Sequence, residues 1–414
     1  MDYIPDIDEM LATAPYYLGT DNQDYRFECH EFLLVAKRDK LRDLVNQQLN
    51  AALGWKPGPG ADPEDPPYGE VVHRSYGNQP ETMKIRYIVP ASVERAVLAF
   101  IRYWRVRPVI RETGRDQGWM AYTEVLIRFL VQRQIEGVDA PQIGLSFVAS
   151  VYIDDSGYMA PLTDPPSMPI VLGREAYGMP KSPGEIFYCP TPHNPHRPRL
   201  RLWDNPDNDR VRLRDAIVFD PNNAATLDHT ACSVPPQPEV APDRDNPARW
   251  GDLEAMFDIE PGQLVGNLKD APRESPISPE DRASARLFTM PQGDEIIVFD
   301  DLLTHTKLVG LKQFPEPTSY FPGKGGKLQS CYQAIVESPI EEDPARPLPG
   351  WDTITDDQLI EFPAISRVNL IDSLGVETVP GNARRVLVPT ARCKYVHGSL
   401  IFANPKRTHS FELG

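Results

Sequence analysis

Short strands separated by turns, with little helix between them, predict an α+β chain that is mainly antiparallel β, closed into a β-barrel or nearly so. Three observations carry this. Runs rich in aromatic and β-branched residues recur along the chain, sustained helical spacing shows in one segment near the start, and proline makes up 44 of 414 residues. That is about 11% against an average near 5%. Glycine and proline together reach about 17%, below the roughly 25–30% of a disordered chain. An apolar fraction of 41% is enough for a sizeable core.

From Tyr25, YRFECHEFLLVA reads as a strand, with aromatic and β-branched residues in partial alternation. It runs into KRDKLRDLVNQQLNAAL, where Leu41, Leu44, Val45, Leu49 and Leu53 recur at helical spacing and Gly54 supplies the stop. Residues 56–68, KPGPGADPEDPPY, are too rich in Pro and Gly for a helix or a central strand. The stretch 93–106 fits either state: Val97, Phe100, Ile101 and Trp104 suit a helix, while Phe100–Val106 suits a strand. Strand patterns follow at Glu124–Gln132, Leu145–Ile153 and Ile186–Cys189, and Arg199–Trp203 and Val211–Phe219 flank the turn residues NPDND as a hairpin. Between 234 and 285, nine prolines leave room only for a short helix near Trp250–Phe257, so this segment is expected to supply no central strand. Strands resume at Glu295–Phe299, Lys307–Lys312, Gln329–Val336, Arg385–Val388 and Lys394–Phe402.

The net charge of −16, with no basic block, argues against a nucleic-acid partner, because affinity for phosphates rests on clustered Lys and Arg. The longest apolar run, around Ile143–Ile153, is far short of the roughly 20 residues that span a bilayer. MDYIPDIDEM lacks the basic and apolar regions of a signal peptide, and residues 1–24 read as an N-terminal extension. Five widely separated cysteines (Cys29, Cys189, Cys232, Cys331, Cys393), with no CxxC pair, are expected as free thiols in a reducing cytoplasm.

Several motifs have bland readings. His193 and His196 sit in a Pro-rich loop with no nearby third ligand, so no metal is expected. GKGGK at 323–327 lacks phosphate-loop spacing and reads as a hairpin turn. Asp154/Asp155 and Asp300/Asp301 fall at strand ends, where Asp caps turns.

Residues 171–184, VLGREAYGMPKSPG, stand apart. Lys181 follows a constrained lead of Gly173, Tyr177, Gly178, Met179 and Pro180, in which the glycines permit unusual backbone angles and Pro180 fixes its own φ. The lysine therefore leaves the chain in a defined direction. A lysine amine is a nucleophile only when neutral, which requires its reference pKa of about 10.4 to fall by roughly three units, on the order of 4 kcal/mol. An apolar, water-poor pocket can supply that. A surface lysine in a loop is the alternative reading.

GREAYGMPK resembles the active-site segment of the acetoacetate decarboxylase family, a G-R-E-x-x-G/A-x-P-K pattern that ends in a Schiff-base lysine. AYTE at 121–124 resembles the family's Y-x-E segment with its catalytic-site glutamate, and LSFVASVYIDD the strand and turn that follow. HTKLVGLKQF…GKGGKLQSCYQAIV and VLVPTARCKYVHGSLIF resemble its late strands, and YRFECHEFLLVAKRDKLRDLV its first strand and helix, which places the pocket arginine near Arg26. The resemblance spans roughly residues 25–405. It implies one acetoacetate decarboxylase-like domain over 25–414, with Pro-rich insertions near 54–90 and 220–290. Two positions depart from the family: Ser182 stands where a second lysine is usual, and no glutamate lies between Val97 and Trp104, Glu112 being nearest.

The resemblance implies a lyase with Lys181, Glu124 and Arg26 as catalytic residues and Tyr122, Arg174, Glu175, Tyr177, Met179 and Ser182 around the substrate. Lys181 would form an iminium with a small oxo acid or ketone, Arg26 would bind its carboxylate, and Glu124 would position Arg26 or move protons. No cofactor or metal is implied, and a cytoplasmic homo-oligomer is expected. Decarboxylation of a β-oxo acid leads. A Schiff-base aldolase, dehydratase or cyclase is the alternative within enzymes, and a non-catalytic small-molecule-binding barrel the alternative outside them.

Overall fold

Alternation along Gln23–Val35 sorts the first strand, β1, into two buried faces, with Phe32 and Leu34 on one and Cys29, Glu31 and Leu33 on the other. A strand buried on both sides belongs in the middle of a sheet. The structure, a computed structural model, describes residues 23–75, 81–91, 93–108, 120–138, 144–154, 179–190, 198–204, 211–220, 307–315, 331–338, 340–341, 350–365, 369–402 and 407–412. The segments 234–285, Glu295–Phe299 and GKGGK, and the residues His193, His196, Asp300 and Asp301, lie outside them.

After β1 come β2 (Gly69–Ser75), β3 (Glu81–Ile88), β4 (Arg95–Pro108), β5 (Met120–Ile135), β6 (Gly144–Asp154) and the short β7 (Lys181–Pro183) and β8 (Glu185–Phe187). Then follow β9 (Arg199–Asp204), β10 (Arg212–Phe219), β11 (Lys307–Pro315), β12 (Cys331–Ser338), β13 (Ile340–Glu341) and β14 (Gly350–Thr353). The last four are β15 (Gln358–Glu361), β16 (Arg385–Val388), β17 (Cys393–Phe402) and β18 (Arg407–Glu412).

Thirteen strands form one mostly antiparallel sheet in the order β13-β17-β1-β4-β5-β3-β2-β18-β12-β11-β6-β7, with β14 paired to β17 and an additional β5–β6 pairing. Five more form a second sheet, β16-β15-β10-β9-β8. The mainly β architecture agrees with the expectation; β13 and β7 end the order above, and the β5–β6 pairing links β5, β3, β2, β18, β12, β11 and β6 through successive pairings. The ambiguous stretch at 93–106 is a strand. Ala96 to Ile101 are all buried, so both faces of β4 are apolar and its sequence shows no period of two. The 54–90 region supplies β2 and β3 to the main sheet.

The core lies between the sheets. Phe32 and Phe100 of the main sheet pack on Phe219 of the second, with ring centroids 4.8 and 5.5 Å apart, among Leu200, Ile217, Ile360 and Val386. The expected helix is α1 (Arg38–Val45) continued by a π-helical turn, Asn46–Asn50, which buries Leu41, Val45 and Leu49 in the same core. Gly54 follows it at φ +94°, a conformation that suits glycine. A second short helix, α2 (Leu370–Leu374), is capped by the Asn369 side chain and closed by Gly375. No described helix is long and apolar enough to cross a membrane. Cys29 and Cys393 are free and buried, as expected, whereas Cys189 is disulfide-bonded, which corrects its assignment as a free thiol.

Asn50 fastens the helix to the sheet. Its amide donates to the Tyr87 carbonyl at 2.7 Å and accepts from the Tyr87 N–H at 2.9 Å, so one buried side chain does what a neighbouring strand would do. Asn50→Ala removes both partners from buried backbone groups, each worth about 1–3 kcal/mol. The expected loss is about 2–6 kcal/mol in urea unfolding, with the denaturant slope unchanged.

Candidate active site

Cross-strand register assembles the site on the face of the main sheet that points away from the inter-sheet core. Lys394 of β17, Glu31 of β1, Ala99 of β4, Leu126 of β5, Val151 of β6 and Lys181 of β7 stand in one continuous row. Two residues along each strand, Val396, Cys29, Ile101, Glu124, Ile153 and Pro183 form the next row on the same face.

Lys181 and Glu124 lie in adjacent rows, two strands apart, about 10 Å at the usual strand spacing. The Lys181 and Glu124 side chains both extend into that gap and meet across β6. Lys181 Nζ donates to Glu124 Oε2 at 2.9 Å. Both side chains are almost completely buried, at 5% and 3% exposure. Nζ also lies 5.4 Å from the centre of the Tyr122 ring, which in turn packs on Tyr103 at 4.8 Å. The aromatic face adds a favourable contact for a cation. Apolar Ile101, Leu126, Val151 and Ile153 surround the pair, all buried.

The backbone around the lysine is held tightly. Its N–H donates to the Met179 carbonyl at 2.8 Å, and the Pro180 carbonyl accepts from Val151 N–H at 3.4 Å, opening the parallel β6–β7 ladder. Of the residues expected at the site, the structure brings together Lys181, Glu124, Tyr122 and the buried Met179. Ser182 is the next strand residue, in register with Tyr152, and alternates to the opposite face. Arg26 lies in β1, opposite Ser399, but its side chain is outside the described residues, as are Arg174, Glu175 and Tyr177.

A second buried charge cluster shares this face. Glu31 accepts from Arg128 Nη2, and Lys394 Nζ stands 3.4 Å from the other carboxylate oxygen. Arg128 reaches diagonally past the small Ala99 to do so. All three side chains are essentially inaccessible. Their signal in the sequence was a charge inside an apolar run, as in EVLIRFLVQ and YRFECHEFLLVA. A charge in such a place must be buried, and therefore paired. The Cys29 thiol lies between the two charge clusters and is pushed well above its ordinary pKa, first by burial and then by the neighbouring Glu31 carboxylate. Among the described residues no group of three or more His, Cys, Asp or Glu side chains could hold a metal.

No family model and no curated protein matches the chain. Among solved structures it is similar to one described as structural studies of acetoacetate decarboxylase, at 10% identity over 96% of this chain and 92% of that one, with a TM-score of 0.40. A second is MppR, an enduracididine biosynthesis enzyme complexed with the condensation product of pyruvate and imidazole 4-carboxaldehyde, at 13% identity, 95% and 88% coverage and a TM-score of 0.34. A third is an acetoacetate decarboxylase-like enzyme from Sphingomonas wittichii RW1, at 10% identity, 95% and 93% coverage and a TM-score of 0.37. Similarity at this level leaves the chemistry to be decided by the side chains.

Two outcomes test the site's electrostatics. Removing one member of a buried pair strands the other, at about 3–5 kcal/mol, whereas replacing both by apolar residues is often neutral or better. Glu124→Leu and Lys181→Met should each destabilise by that amount in urea unfolding, and the double variant should recover most of the loss. The raised thiol pKa of Cys29 keeps it neutral, so native protein at pH 8.5 should resist iodoacetamide at this residue, read by peptide mass spectrometry. Its contribution to stability is full below the ordinary thiol pKa of 9.0, where folded and unfolded thiols are both neutral. It is lost as pH rises past that value, because only the unfolded thiol then ionises.

Proposed function

We propose that the chain is a lyase that decarboxylates a small β-oxo acid through a Schiff base on Lys181. The observation that supports this reading is the buried lysine amine donating to the Glu124 carboxylate in an otherwise apolar setting. In that pair the ammonium can pass a proton to Glu124, leaving a neutral amine beside a neutral acid. The amine then adds to the substrate carbonyl carbon, and the resulting carbinolamine loses water to give an iminium. The electrons of the breaking C–C bond flow into the iminium nitrogen, carbon dioxide departs, and an enamine remains. Protonation of the enamine carbon, for which Glu124 is placed to act, and hydrolysis by water release the ketone and restore the lysine.

In this reading Arg26 binds the substrate carboxylate as a charge-assisted pair, and Arg174 and Glu175 hold the loop that leads to Lys181. Tyr122 and Met179 limit the space around the amine. The homo-oligomeric state and cytoplasmic location expected above accompany the same reading. A second reading, aldol addition, dehydration or cyclisation through the same iminium, is favoured by Ile101. This apolar residue faces Glu124 across β4–β5 and leaves Glu124 the one carboxylate in its cross-strand row.

Incubation with acetoacetate or pyruvate and sodium borohydride should add the reduced substrate to Lys181, read by peptide mass spectrometry. Lys181→Arg should abolish trapping and turnover with the fold intact, because a guanidinium stays charged. Glu124→Gln should lower turnover by about 10²–10⁴-fold, the usual worth of proton transfer. Carbon dioxide release from acetoacetate separates the first reading from the second. Full activity in Lys181→Arg would end both.

A further inference from the structure

The segment that carries Lys181 belongs to two sheets. Residues 181–183 form β7 at one end of the main sheet, and two residues later 185–187 form β8 at one end of the second sheet. The handover takes place at Gly184, whose N–H donates to the Ile153 carbonyl at 2.9 Å. A Cβ at Gly184 would meet Leu200 Cδ1 and Leu202 Cδ2 at 3.0 Å, so the chain passes here against the floor of the second sheet with no room for a side chain.

Strand β6 ends at Asp154, and its backbone ladder to the lysine segment ends with it. The Asp154 side chain continues that ladder: Oδ2 accepts from the Ile186 N–H at 2.8 Å. Ile186 is in register with Leu200 of the second sheet. One carboxylate at the end of a main-sheet strand therefore fixes where the lysine segment enters the other sheet. Two residues further on, the Tyr188 hydroxyl meets His30 Nδ1 of β1 at 2.7 Å, so the segment is tied down beyond Asp154 as well.

We propose that Asp154 is a positioning residue for Lys181, holding β7 in the register from which the lysine amine reaches Glu124. The register matters because Lys181 and its partner stand two strands apart. A one-residue slip of the three-residue strand β7 turns Lys181 to the opposite face of the sheet, and a two-residue slip moves the amine about 6.6 Å along it. Displacements of about 1 Å at a reacting centre cost on the order of 10²-fold in rate.

The consequence for turnover rests on the Schiff-base reading above; the consequence for geometry does not. Asp154→Asn keeps an oxygen that can accept from Ile186 N–H, Asp154→Ala removes it, and Asp154→Glu displaces it by one methylene. Borohydride trapping with acetoacetate and with pyruvate is followed as a rate for each variant, and crystal structures give the Lys181 Nζ–Glu124 Oε2 distance. Asp154→Asn is expected within about threefold of the wild-type trapping rate, and Asp154→Ala and Asp154→Glu about 10–100-fold slower, with the Lys181–Glu124 contact lengthened. If Asp154→Ala does not fold, Asp154→Glu carries the comparison. A wild-type rate and an unchanged contact in Asp154→Ala or Asp154→Glu would overturn the proposal. So would an Asp154→Asn variant as slow as Asp154→Ala, since the charge and not the hydrogen bond would then be at work. If the wild-type protein traps neither oxo acid, the Schiff-base reading has failed, and the contact distances alone decide the role of Asp154.

Discussion

An ammonium and a carboxylate removed together from water set the terms for everything around them. Lys181 and Glu124 are each nearly inaccessible, and neither charge is tolerable there without the other. Their contact depends on strand register over three strands, β5, β6 and β7, because a side chain shifted by one residue along a strand moves to the opposite face. The long pairing of β5 with β6, from Thr123↔Asp154 to Gln132↔Gly144, is what makes that register firm. The apolar residues between the partners keep water out, and a hydrogen bond between charged groups is stronger in such a setting than in solvent. A neutral amine and a neutral acid, the form a nucleophilic lysine needs, differ from the ion pair by the transfer of one proton across the same contact.

The Glu31–Arg128–Lys394 cluster follows the same logic at the other end of the row. Charges in the middle of a sheet are costly unless opposite charges meet them there. Here the partners come from three strands far apart in sequence: β17 is paired with β1, and β5 lies one strand further on, across β4. Such a cluster adds little net stability compared with well-packed apolar residues, but it penalises any register in which the charges fail to meet.

The long strands were legible because their residues say what both faces need. The runs at Tyr25, Glu124, Leu145, Arg199, Arg385 and Lys394 all lie in strands, and the helix after β1 follows its apolar spacing to Gly54. The stretch 93–106 was ambiguous for a physical reason: a central strand buried on both faces has no alternation to show. β2 and β3 were hidden because their strands follow a Pro-rich stretch and carry polar residues such as Glu70, Lys84 and Arg86. Lys181 and Glu124 could be singled out from their local motifs, but their contact could not, since it depends on a parallel pairing between strands separated by a long connection. The Asp154 side chain was readable as a strand-end residue, yet its partner, Ile186, is defined only by the fold.

Pro183 has a further consequence. A strand at the end of a sheet offers unpaired N–H and C=O groups on which another chain can add. Among the described residues, the end of the main sheet next to the candidate site is a strand of three residues, and one of them, Pro183, has no N–H to offer. The edge that carries the lysine is thus a poor template for a fourth residue, a peptide or a second copy of the sheet. The segment that carries Lys181 can lie at the rim of the described sheet without inviting the strand addition through which β proteins aggregate.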